Sequence, residues 1–417
     1  MQYLYDIYKK HRKISTDTRH IEPDCIFFCL KGDHFDGNQF AEIAAEKGAF
    51  LVVTENEALK DKAHFYYVEN SLACLQQLAK YHRQQLSIPI IGITGTNGKT
   101  TTKELTAAVL SKIHHVAFTQ GNLNNHIGVP LTLLSIMPQH QIAIVEMGAN
   151  HCGEIEELCR IAQPTHGLIT NIGTAHIEGF GSLENIIDTK TALYKSLMAN
   201  QGVIFYNAKD AVLQNHVQNY MYIVPYNDME ETFSSEQRNS PFLSFNLSGK
   251  NITTHLTGNY NKVNALAAAK IGTFFNVSAA EIIEAIVDYE PKNHRSQVVY
   301  AGSNTLIADY YNANPTSMTA ALTDFSSIKH AHKVAILGDM FELGAVSHIE
   351  HEKIVKLCKK LGIEAYFIGH EFKNCTNYNS FTTVSEFKEY LKMNTLTQAL
   401  ILVKGSRGMQ LENIDFN

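Results

Sequence analysis

IIGITGTNGKTTTKEL, from Ile90 to Leu105, is the stretch that decides the expected fold of the middle of the chain. An apolar run typical of a β-strand leads into a glycine-rich loop, and a lysine, hydroxyl residues and a helical pattern follow. This order suits a triphosphate, because the backbone N–H groups of such a loop and the N-terminus of a helix both attract phosphate oxygens. Lys99 supplies a cation for the β- and γ-phosphates, and the Thr100 hydroxyl is placed to hold Mg²⁺.

The loop differs from the general pattern G-x-x-x-x-G-K-[ST], because Ile93 stands where the first glycine belongs and the loop reads T-G-T-N-G-K-T. The alternative interpretation is a tight glycine turn with no ligand. The strand, loop and helix context that the motif requires is present, so the sequence predicts ATP binding. The candidate residues in this loop are Gly95, Thr96, Asn97, Gly98, Lys99, Thr100 and Thr101.

The composition narrows the class of protein. The chain has 417 residues, too many for one ordinary core, and its net charge of -6 argues against a generic nucleic-acid binder. The start MQYLYDIYKK lacks the apolar segment of a signal peptide, and no apolar run is long enough to span a bilayer. Seven cysteines without a C-x-x-C pair favour reduced thiols. We therefore expect a cytoplasmic protein with no membrane span.

Strand and helix patterns alternate along most of the chain, which predicts an α/β protein with parallel sheets. We expect three domains: a small α/β domain at 1–84, a central P-loop domain with a parallel sheet at 85–291, and a C-terminal Rossmann-like α/β domain at 292–417. The tail of the central domain is less regular. Within it, Ser278 and Glu281 form a capping-box pattern that marks the start of a helix.

Polar residues follow the other central strands of the predicted sheet, where ligands of parallel sheets bind. Glu146 ends the strand IAIVE, and a carboxylate there can hold the Mg²⁺ of the phosphate loop. His176 lies in the loop after the third strand and becomes a plausible second metal ligand. The alternatives are an exposed strand-end carboxylate and an ordinary hydrogen-bonded histidine. Lys190, on a later helix, is by itself an ordinary helical lysine.

Amide side chains lie at a later helix start. Asn259, Asn261 and Asn264 either cap that helix or bind a purine. Asp309 ends a strand of the third domain, a position that suits a ribose hydroxyl.

Further polar residues are candidates for the peptide substrate. Asn312 and Asn314 precede Pro315 and are either substrate contacts or turn formers. Lys404 and Arg407 can hold a carboxylate or a phosphate. No pattern for a nucleophilic serine or cysteine is present, so the expected chemistry is phosphoryl transfer.

The ordered set of motifs along the whole chain resembles the Mur ligases of peptidoglycan synthesis. The motifs are ISTDTR (14–19), CLKGDHFDGNQFAEIAAEKGA (29–49), TGTNGKT (94–100), EMGAN (146–150), NIGTAHIEGFGSLENIIDTK (171–190), GNYNKVNALAA (258–268), DYYNANPTSM (309–318), LGDMFELG (337–344) and KGSRG (404–408). The resemblance implies that the first domain binds a UDP-muramoyl substrate. It also implies small-molecule substrates, and we expect a monomer, although the sequence does not give the oligomeric state.

The resemblance also implies a reaction. ATP phosphorylates the terminal carboxylate of a UDP-muramoyl-tripeptide, the free amine of D-Ala-D-Ala attacks the acyl phosphate, and phosphate leaves from a tetrahedral intermediate. The third residue of the tripeptide, diaminopimelate or lysine, does not follow from the sequence.

The resemblance assigns roles to single residues. It implies two Mg²⁺ ions, with Thr100 and Glu146 at the first and His176 at the second. It makes Lys190 a carbamylated lysine that helps to bind the second ion, so the implied catalytic residues are Lys99, His176 and Lys190. The implied nucleotide contacts are Asn261, Arg295 and Asp309, and the UDP-substrate contacts are Ser15, Thr18, Arg19 and Lys31. Tyr260 and Asn38 stand where the family often has histidine.

Two competing interpretations remain. The first is another ligase of the superfamily, either a third-residue ligase or a folylpolyglutamate synthase-like enzyme. DYYNANP (309–315) argues against it, since the third-residue ligases usually carry a DYAHTP-like stretch there and a DNPR-like motif. The second is a P-loop ATPase without ligase activity. Glu146, His176 and Lys190 disfavour it, because a switch has no need of a second metal cluster.

Overall fold

The computed structural model describes residues 1–32, 35–228, 238–292 and 294–416. It contains three α/β domains, each built on its own largely parallel sheet, which confirms the predicted fold class. The exact boundaries after residues 84 and 291 stay predictions. Asp33 and His34, within the motif at 29–49, lie outside the described residues.

The N-terminal domain has a four-stranded parallel sheet in sequence order. Its strands are Ile14–Ser15, Ile26–Phe28, Leu51–Thr54 and Phe65–Tyr67, with a small antiparallel pair of Lys31–Gly32 and Phe35–Asp36. Its helices are Gln2–Lys10, Ala41–Glu46 and Ser71–Gln84, with 3-10 turns at Gly37–Phe40 and Glu57–Leu59. The helix Ser71–Gln84 packs on two central helices, so one apolar core joins the first two domains.

The central domain has a six-stranded parallel sheet. Across the sheet its strands are Ile223–Tyr226, Val203–Asn207, His166–Ile169, Ile90–Thr94, Ile142–Glu146 and Val116–Phe118. All residues of Ile90–Thr94 and Ile142–Glu146 are buried, because helices cover both faces of the sheet and such strands are apolar throughout. The sequence pattern left out Val203–Asn207 and Ile223–Tyr226. The second is an edge strand that contains Pro225 and is mostly half-buried, so it lacks a strong apolar pattern.

Eight helices of the described central residues surround this sheet. They are Lys99–Leu110, Gly128–Leu134, Glu154–Ala162, Ile177–Phe180, Leu183–Ala199, Ala211–Val217, Tyr260–Phe274 and Ala279–Asp288. Ser278 and Glu281 form the predicted capping box of the last helix. A two-stranded antiparallel hairpin, Phe242–Leu247 with Lys250–Thr257, precedes the final pair of helices. The helix Tyr260–Phe274 packs along Lys99–Leu110, which brings its polar start to the phosphate loop.

The C-terminal domain has a six-stranded sheet that is parallel except for its first hairpin. Its strands, in order across the sheet, are Gln297–Ala301, Asn304–Asp309, Leu400–Lys404, Lys333–Gly338, Glu364–Ile368 and Ser380–Phe381. Its helices are Pro315–Ser326, Ser347–Leu361, His370–Cys375 and Val384–Met393, with 3-10 turns at Gly344–Val346, Arg407–Met409 and Leu411–Asn413. Separate apolar clusters cover the two faces of this sheet.

Two further expectations concern the whole chain. All seven cysteines are free thiols, and five of them are buried, as expected for reduced cysteines. Over the described ranges, no helix has the length and apolar character needed to cross a membrane.

Candidate active site between the central and C-terminal domains

A cavity of about 590 Å³ lies between the central and C-terminal domains, beyond the carboxyl ends of the central strands. It collects most of the predicted site residues from segments that are far apart in the chain. The predicted residues that line it are Thr96, Asn97, Gly98, Lys99, Thr100, Thr101, Glu146, His176, Asn261, Arg295, Asp309, Asn312, Asn314 and Lys404. Gly95, Lys190 and Arg407 are not among the lining residues. Gly95 contacts Lys99 and Arg407 contacts Tyr311, both of which line the cavity, whereas Lys190 lies behind them and contacts Gly95.

The phosphate loop owes its shape to two glycines and to the neighbouring strand end. Gly95 has φ 144°, and a Cβ there would lie 2.0 Å from Thr170 Oγ1, so only glycine fits. The Asn97 N–H donates to Asn171 Oδ1 at 3.0 Å, and the Asn97 carbonyl accepts from Thr170 Oγ1 at 2.6 Å. The loop is therefore held in a fixed conformation in front of the helix Lys99–Leu110, the arrangement that binds phosphate.

Lys99 lies folded over this loop. Its Nζ donates to the carbonyl oxygens of Gly95 at 2.9 Å and Thr96 at 3.1 Å. Burial lowers the pKa of Lys99, and the Glu146 carboxylate opposes that shift. No carboxylate lies within ion-pair distance of Lys99 among the described residues, so its charge is left for an anion such as a phosphate.

Glu146 and Thr100, which the sequence predicts as ligands of the first metal ion, are hydrogen-bonded to each other. Glu146 Oε1 accepts from Thr100 Oγ1 at 3.2 Å and from Asn124 Nδ2 at 2.8 Å. Glu146 Oε2 is buried without a hydrogen bond, although the buried Lys103 Nζ lies 3.6 Å away. A free carboxylate oxygen beside a hydroxyl at a phosphate loop fits Mg²⁺, which prefers oxygen ligands and keeps waters and substrate phosphates.

The described residues contain no cluster of three or more His, Cys, Asp or Glu side chains able to hold a metal by themselves. A metal at Thr100 and Glu146 would therefore need the nucleotide to complete its coordination.

Lys190 approaches the phosphate loop from behind. It is 3% exposed, its Nζ donates to the Gly95 carbonyl at 3.1 Å, and it lies 5.7 Å from the ring centroid of Phe180. Burial, reinforced by the charge of Lys99, lowers the pKa of Lys190 from its ordinary value of 10.5 to about 7. Lys190 is thus no solvated surface lysine, and a large fraction of its amine is neutral near neutral pH.

His176 comes to the cavity on a strained backbone. Its φ is 53°, in the left-handed region, and its Nδ1 hydrogen-bonds the carboxylate of Glu342 from the C-terminal domain. Burial lowers the pKa of His176, and the Glu342 carboxylate opposes that shift. The sequence predicted His176 as a site residue but gave no sign of this partner.

The amides at the start of the helix Tyr260–Phe274 do not cap it. Asn261 and Asn264 are buried, Asn264 Nδ2 donates to Asn261 Oδ1 at 2.8 Å, and Asn264 Oδ1 accepts from Thr102 Oγ1 at 3.2 Å. A Cβ on Gly98 would lie 2.6 Å from Asn264 Oδ1, so this amide network packs directly on the phosphate loop. Tyr260, one of the two departures from the family pattern, bonds Ser296 Oγ at 2.8 Å across the domain interface.

The C-terminal wall of the cavity carries both paired and unpaired cations. Lys404 is 2% exposed and pairs with Asp309 at 2.7 Å, so its charge is already balanced. The Arg295 guanidinium stacks on Tyr311 at 3.6 Å from the ring centroid, and the Arg407 guanidinium lies 5.3 Å from the same ring. Neither arginine side chain has an acidic partner among the described residues. Arg295, which lines the cavity, and Arg407, which lies beside the same tyrosine, therefore keep a charge that an anionic ligand can pair with, whereas Lys404 does not.

The two asparagines before Pro315 differ. Asn314 caps the helix Pro315–Ser326 through Ser317 N at 2.9 Å and also donates from Nδ2 to Asn97 Oδ1 at 2.8 Å. It is therefore a turn former that links the C-terminal domain to the phosphate loop. Asn312 is exposed at the cavity, and its carbonyl accepts from Lys404 Nζ at 3.3 Å.

The predicted UDP-substrate residues lie elsewhere, on the N-terminal domain, and none lines this cavity. Arg19 pairs with Asp17 at 2.7 Å, Lys31 pairs with Glu55 at 2.7 Å, and Ser15 Oγ donates to the His20 carbonyl at 3.2 Å. Thr18 is half-buried, and its carbonyl accepts from Lys47 Nζ at 2.8 Å.

Asn38, the other departure from the family pattern, ties this domain together. Its Oδ1 accepts from Thr54 Oγ1 at 2.8 Å and from the Glu55 N–H at 2.7 Å. In this structure it makes structural contacts between two segments of the N-terminal domain.

The sequence did not indicate several residues that line the cavity or contact its lining. Asn124 donates a hydrogen bond to Glu146, and the ring of Tyr311 contacts Arg295 and Arg407. Glu342 hydrogen-bonds His176. Tyr311 and Glu342 lie inside motifs used for the resemblance, but their side-chain roles depend on contacts between domains. Only Asn124, in the amide-rich loop GNLNN after a strand, carried a weak local signal.

The fold and the site together define a three-domain nucleotide-binding protein, with a phosphate loop on one domain facing a cationic wall on another. Three domain models match nearly the whole chain. They are Mur ligase family, catalytic domain, at residues 11–92; Mur ligase middle domain, at 93–272; and Mur ligase, glutamate ligase domain, at 294–407. The chain belongs to the Mur ligase family, which confirms the resemblance.

Similar proteins cover the chain nearly end to end. UDP-N-acetylmuramoyl-tripeptide--D-alanyl-D-alanine ligase of Bacillus subtilis (strain 168) is 33% identical over 96% of this chain and 92% of its own length. The ligase of the same name from Escherichia coli (strain K12) is 32% identical over the same shares. A crystal structure of MurF from Acinetobacter baumannii has a TM-score of 0.85 at 29% identity and covers 96% of this chain and 92% of its own.

One further solved structure shares the fold. MurF ligase from Thermotoga maritima in complex with ADP has a TM-score of 0.82 at 24% identity, covering 97% of this chain and 96% of its own.

Proposed function

We propose that this protein uses ATP to join D-Ala-D-Ala to a UDP-N-acetylmuramoyl-tripeptide in the synthesis of peptidoglycan precursors. The observation that carries the proposal is the cavity that the phosphate loop and the C-terminal wall line together. A ligase must hold the nucleotide, the activated acid and the incoming amine together, and this cavity offers surfaces from two domains. The names of the similar ligases from Bacillus subtilis and Escherichia coli agree with this reaction.

The two sides of the cavity would bind different parts of the substrates. The loop around Gly98 and Lys99 would hold the β- and γ-phosphates, and Arg295 would add a cation from the opposite wall. The tripeptide carboxylate would take the γ-phosphoryl group to give an acyl phosphate and ADP. The amine of D-Ala-D-Ala would then attack the acyl carbon, and inorganic phosphate would leave as the amide forms. Closure between the two domains would exclude water, which otherwise hydrolyses the acyl phosphate.

Mg²⁺ belongs to the proposal as well. Thr100 and Glu146 would hold a first ion, and His176 would serve a second. When bound, such ions neutralise charge on the transferring phosphoryl group. The buried, unbonded Glu146 Oε2 supports the first assignment.

We further propose that the Lys190 side chain is carbamylated. A neutral amine adds to the carbon of CO₂ and loses a proton to give a carbamate anion, which can serve a metal. The pKa of about 7 supplies the neutral amine that this step needs. Without the modification, Lys190 would act as a buried donor that supports the phosphate loop through the Gly95 carbonyl. Mass spectrometry under native conditions with ¹³CO₂ distinguishes the two states.

The coupling of phosphate release to the amine substrate tests the function. With ATP and the UDP-tripeptide alone we expect slow release of phosphate, because the acyl phosphate waits in a closed site. Adding D-Ala-D-Ala should accelerate release by about 10²-fold or more and yield one ligated product per phosphate. A continuous phosphate assay with product mass spectrometry provides the measurement.

Equal hydrolysis with and without the dipeptide would instead identify an ATPase without ligase activity. The same mass spectrometry, run with the diaminopimelate and the lysine tripeptides, identifies the third residue of the accepted substrate.

Arg407 is the expected partner of the dipeptide carboxylate, because Lys404 is already paired with Asp309 while Arg407 has no acidic partner among the described residues. Arg407→Gln should raise KM for D-Ala-D-Ala by about 10- to 100-fold, the value of one charge-assisted contact, with a smaller change in kcat. The variant should also lose the preference for D-Ala-D-Ala over its C-terminal amide.

Steady-state kinetics with both dipeptides checks this expectation. Arg160→Gln is the matched control, since Arg160 pairs with Glu156 and does not line the cavity. An undiminished preference for the free carboxylate in Arg407→Gln would assign the dipeptide to another residue.

The remaining parts of the proposal concern the first domain and the state of the protein. We propose that Ser15, Thr18, Arg19 and Lys31 hold the UDP group, as the family resemblance implies; all four lie on the N-terminal domain and none lines the nucleotide cavity. A monomeric, cytoplasmic enzyme is the expected form, and light scattering tests the first property.

A further inference from the structure

We propose that Glu342 is a positioning residue that orients His176 across the interface between the central and C-terminal domains. Glu342 belongs to the loop that follows the strand Lys333–Gly338. Its carboxylate hydrogen-bonds His176 Nδ1. The inference rests on the proposed function, because His176 acts there beside the nucleotide.

The backbone supports a specific role for this pair. His176 has φ 53° and Glu342 has φ 62°, so both partners stand in the left-handed region that side chains other than glycine seldom adopt. Such a conformation is costly and recurs at functional sites, where the surroundings enforce it. The contact therefore joins two residues that the fold holds in uncommon conformations.

The loop that carries Glu342 is anchored on both of its sides. The Met340 N–H donates to His351 Nε2 at 3.0 Å, and the Phe341 N–H donates to Ser406 Oγ at 2.9 Å. On the other side, the 3-10 turn Gly344–Val346 packs against the helix Ile177–Phe180 of the central domain. The fold thus presents Glu342 to the central domain from a fixed position.

The two ring nitrogens of His176 have different partners. With Nδ1 engaged by Glu342, Nε2 of His176 is left for the cavity that this histidine lines. A carboxylate on the far nitrogen fixes the orientation of a metal-binding histidine and increases its basicity. Because Glu342 comes from the C-terminal domain, His176 is oriented only when that domain lies against the phosphate loop. Domain closure and completion of the site are then one event.

Glu342→Gly separates this role from a structural one. Glycine tolerates φ 62°, so the substitution removes the carboxylate without backbone strain, and the midpoint of thermal unfolding should stay equal or rise. We expect kcat to fall by about 10- to 100-fold, with KM for ATP changed less. The affinity of the protein for Mn²⁺ in the presence of a non-hydrolysable ATP analogue should fall by a similar factor. Glu342→Gln keeps an amide oxygen that accepts a hydrogen bond. Its kcat and its Mn²⁺ affinity should therefore lie between those of wild type and those of Glu342→Gly.

Glu352→Gln provides the matched control, since Glu352 is an acid of the same domain that pairs with Lys356 at 2.8 Å and does not line the cavity. Unchanged kcat and unchanged Mn²⁺ affinity in Glu342→Gly would overturn the inference. A wild-type protein that shows no ligation dependent on D-Ala-D-Ala would reject the proposed function instead, so the two failures are distinguishable.

Discussion

Lys99→Ala is expected to abolish ligation, with a fall in kcat/KM of about 10³-fold or more. The substitution removes the one loop cation that Gly95 and Thr96 hold in place for the phosphates, and preorganised charge is a large term in phosphoryl transfer. The fold should persist, because Lys99 is half-buried and fills little of the core. ATP binding by calorimetry and thermal unfolding, measured on the same preparation, separate these effects.

Lys112→Ala is the control for this experiment. Lys112 lies just beyond the helix that Lys99 begins, and it pairs with Glu284 at 3.0 Å on the surface. It should retain wild-type kinetics, because exposed ion pairs contribute little. Wild-type turnover in Lys99→Ala would move the nucleotide away from this loop.

Lys190 substitutions carry the second large expected effect. If Lys190 is carbamylated as proposed, Lys190→Met and Lys190→Arg should both lose most ligase activity, about 10²-fold or more, since neither side chain can form a carbamate. Lys190→Ala should behave likewise, and a short carboxylic acid added to the assay should restore part of its activity by replacing the proposed carbamate anion. Activity of Lys190→Arg within a few-fold of wild type at saturating Mg²⁺ would reject the carbamate.

The same lysine predicts a dependence of stability on pH. Its pKa is about 7 in the folded protein and near its ordinary 10.5 when unfolded. Below pH 7 the amine is charged in both states, and burying that charge destabilises the folded state to the full extent. This cost declines as the pH rises from 7 to 10.5, where both states become neutral. The free energy of unfolding of Lys190→Met should therefore exceed that of wild type by on the order of a few kcal/mol near pH 7. The variant should accordingly unfold at a higher denaturant concentration.

Urea titrations of both proteins at several pH values, without nucleotide and in buffer free of CO₂, measure this difference. The gain of Lys190→Met should shrink as the pH rises. A gain that is absent, or that grows with pH, would show that Lys190 keeps an ordinary pKa.

Long, uninterrupted apolar strands were predictable, and weak strands were not. Ile90–Thr94 and Ile142–Glu146 are buried on both faces and therefore read as continuous apolar runs. Ile223–Tyr226 was missed because it lies at the sheet edge, where half-burial and Pro225 remove that pattern. The neighbouring Val203–Asn207 was missed as well, although its three central residues are buried.

Some site residues could be predicted from nearby sequence, and others depend on residues that are distant in the chain. The phosphate loop, Glu146 and His176 all follow strands of one parallel sheet, so their common edge could be expected from the order of the elements. Lys190 could not be recognised from its helix, because its low pKa arises from burial and from Lys99, which is remote in sequence. Only the resemblance to a family drew attention to it.

The sequence by itself determined the α/β class, the phosphate loop and the family, because local periodicity, glycine placement and ordered motifs are properties of the chain. The tertiary structure alone decided which charges are free to act. Lys404 is neutralised by Asp309, whereas Arg295 and Arg407 stack on Tyr311 without acidic partners in the described part of the chain. It also brought Glu342 to His176. Electrostatic pairing depends on distances of a few ångströms between domains, and no spacing along the sequence encodes such a distance.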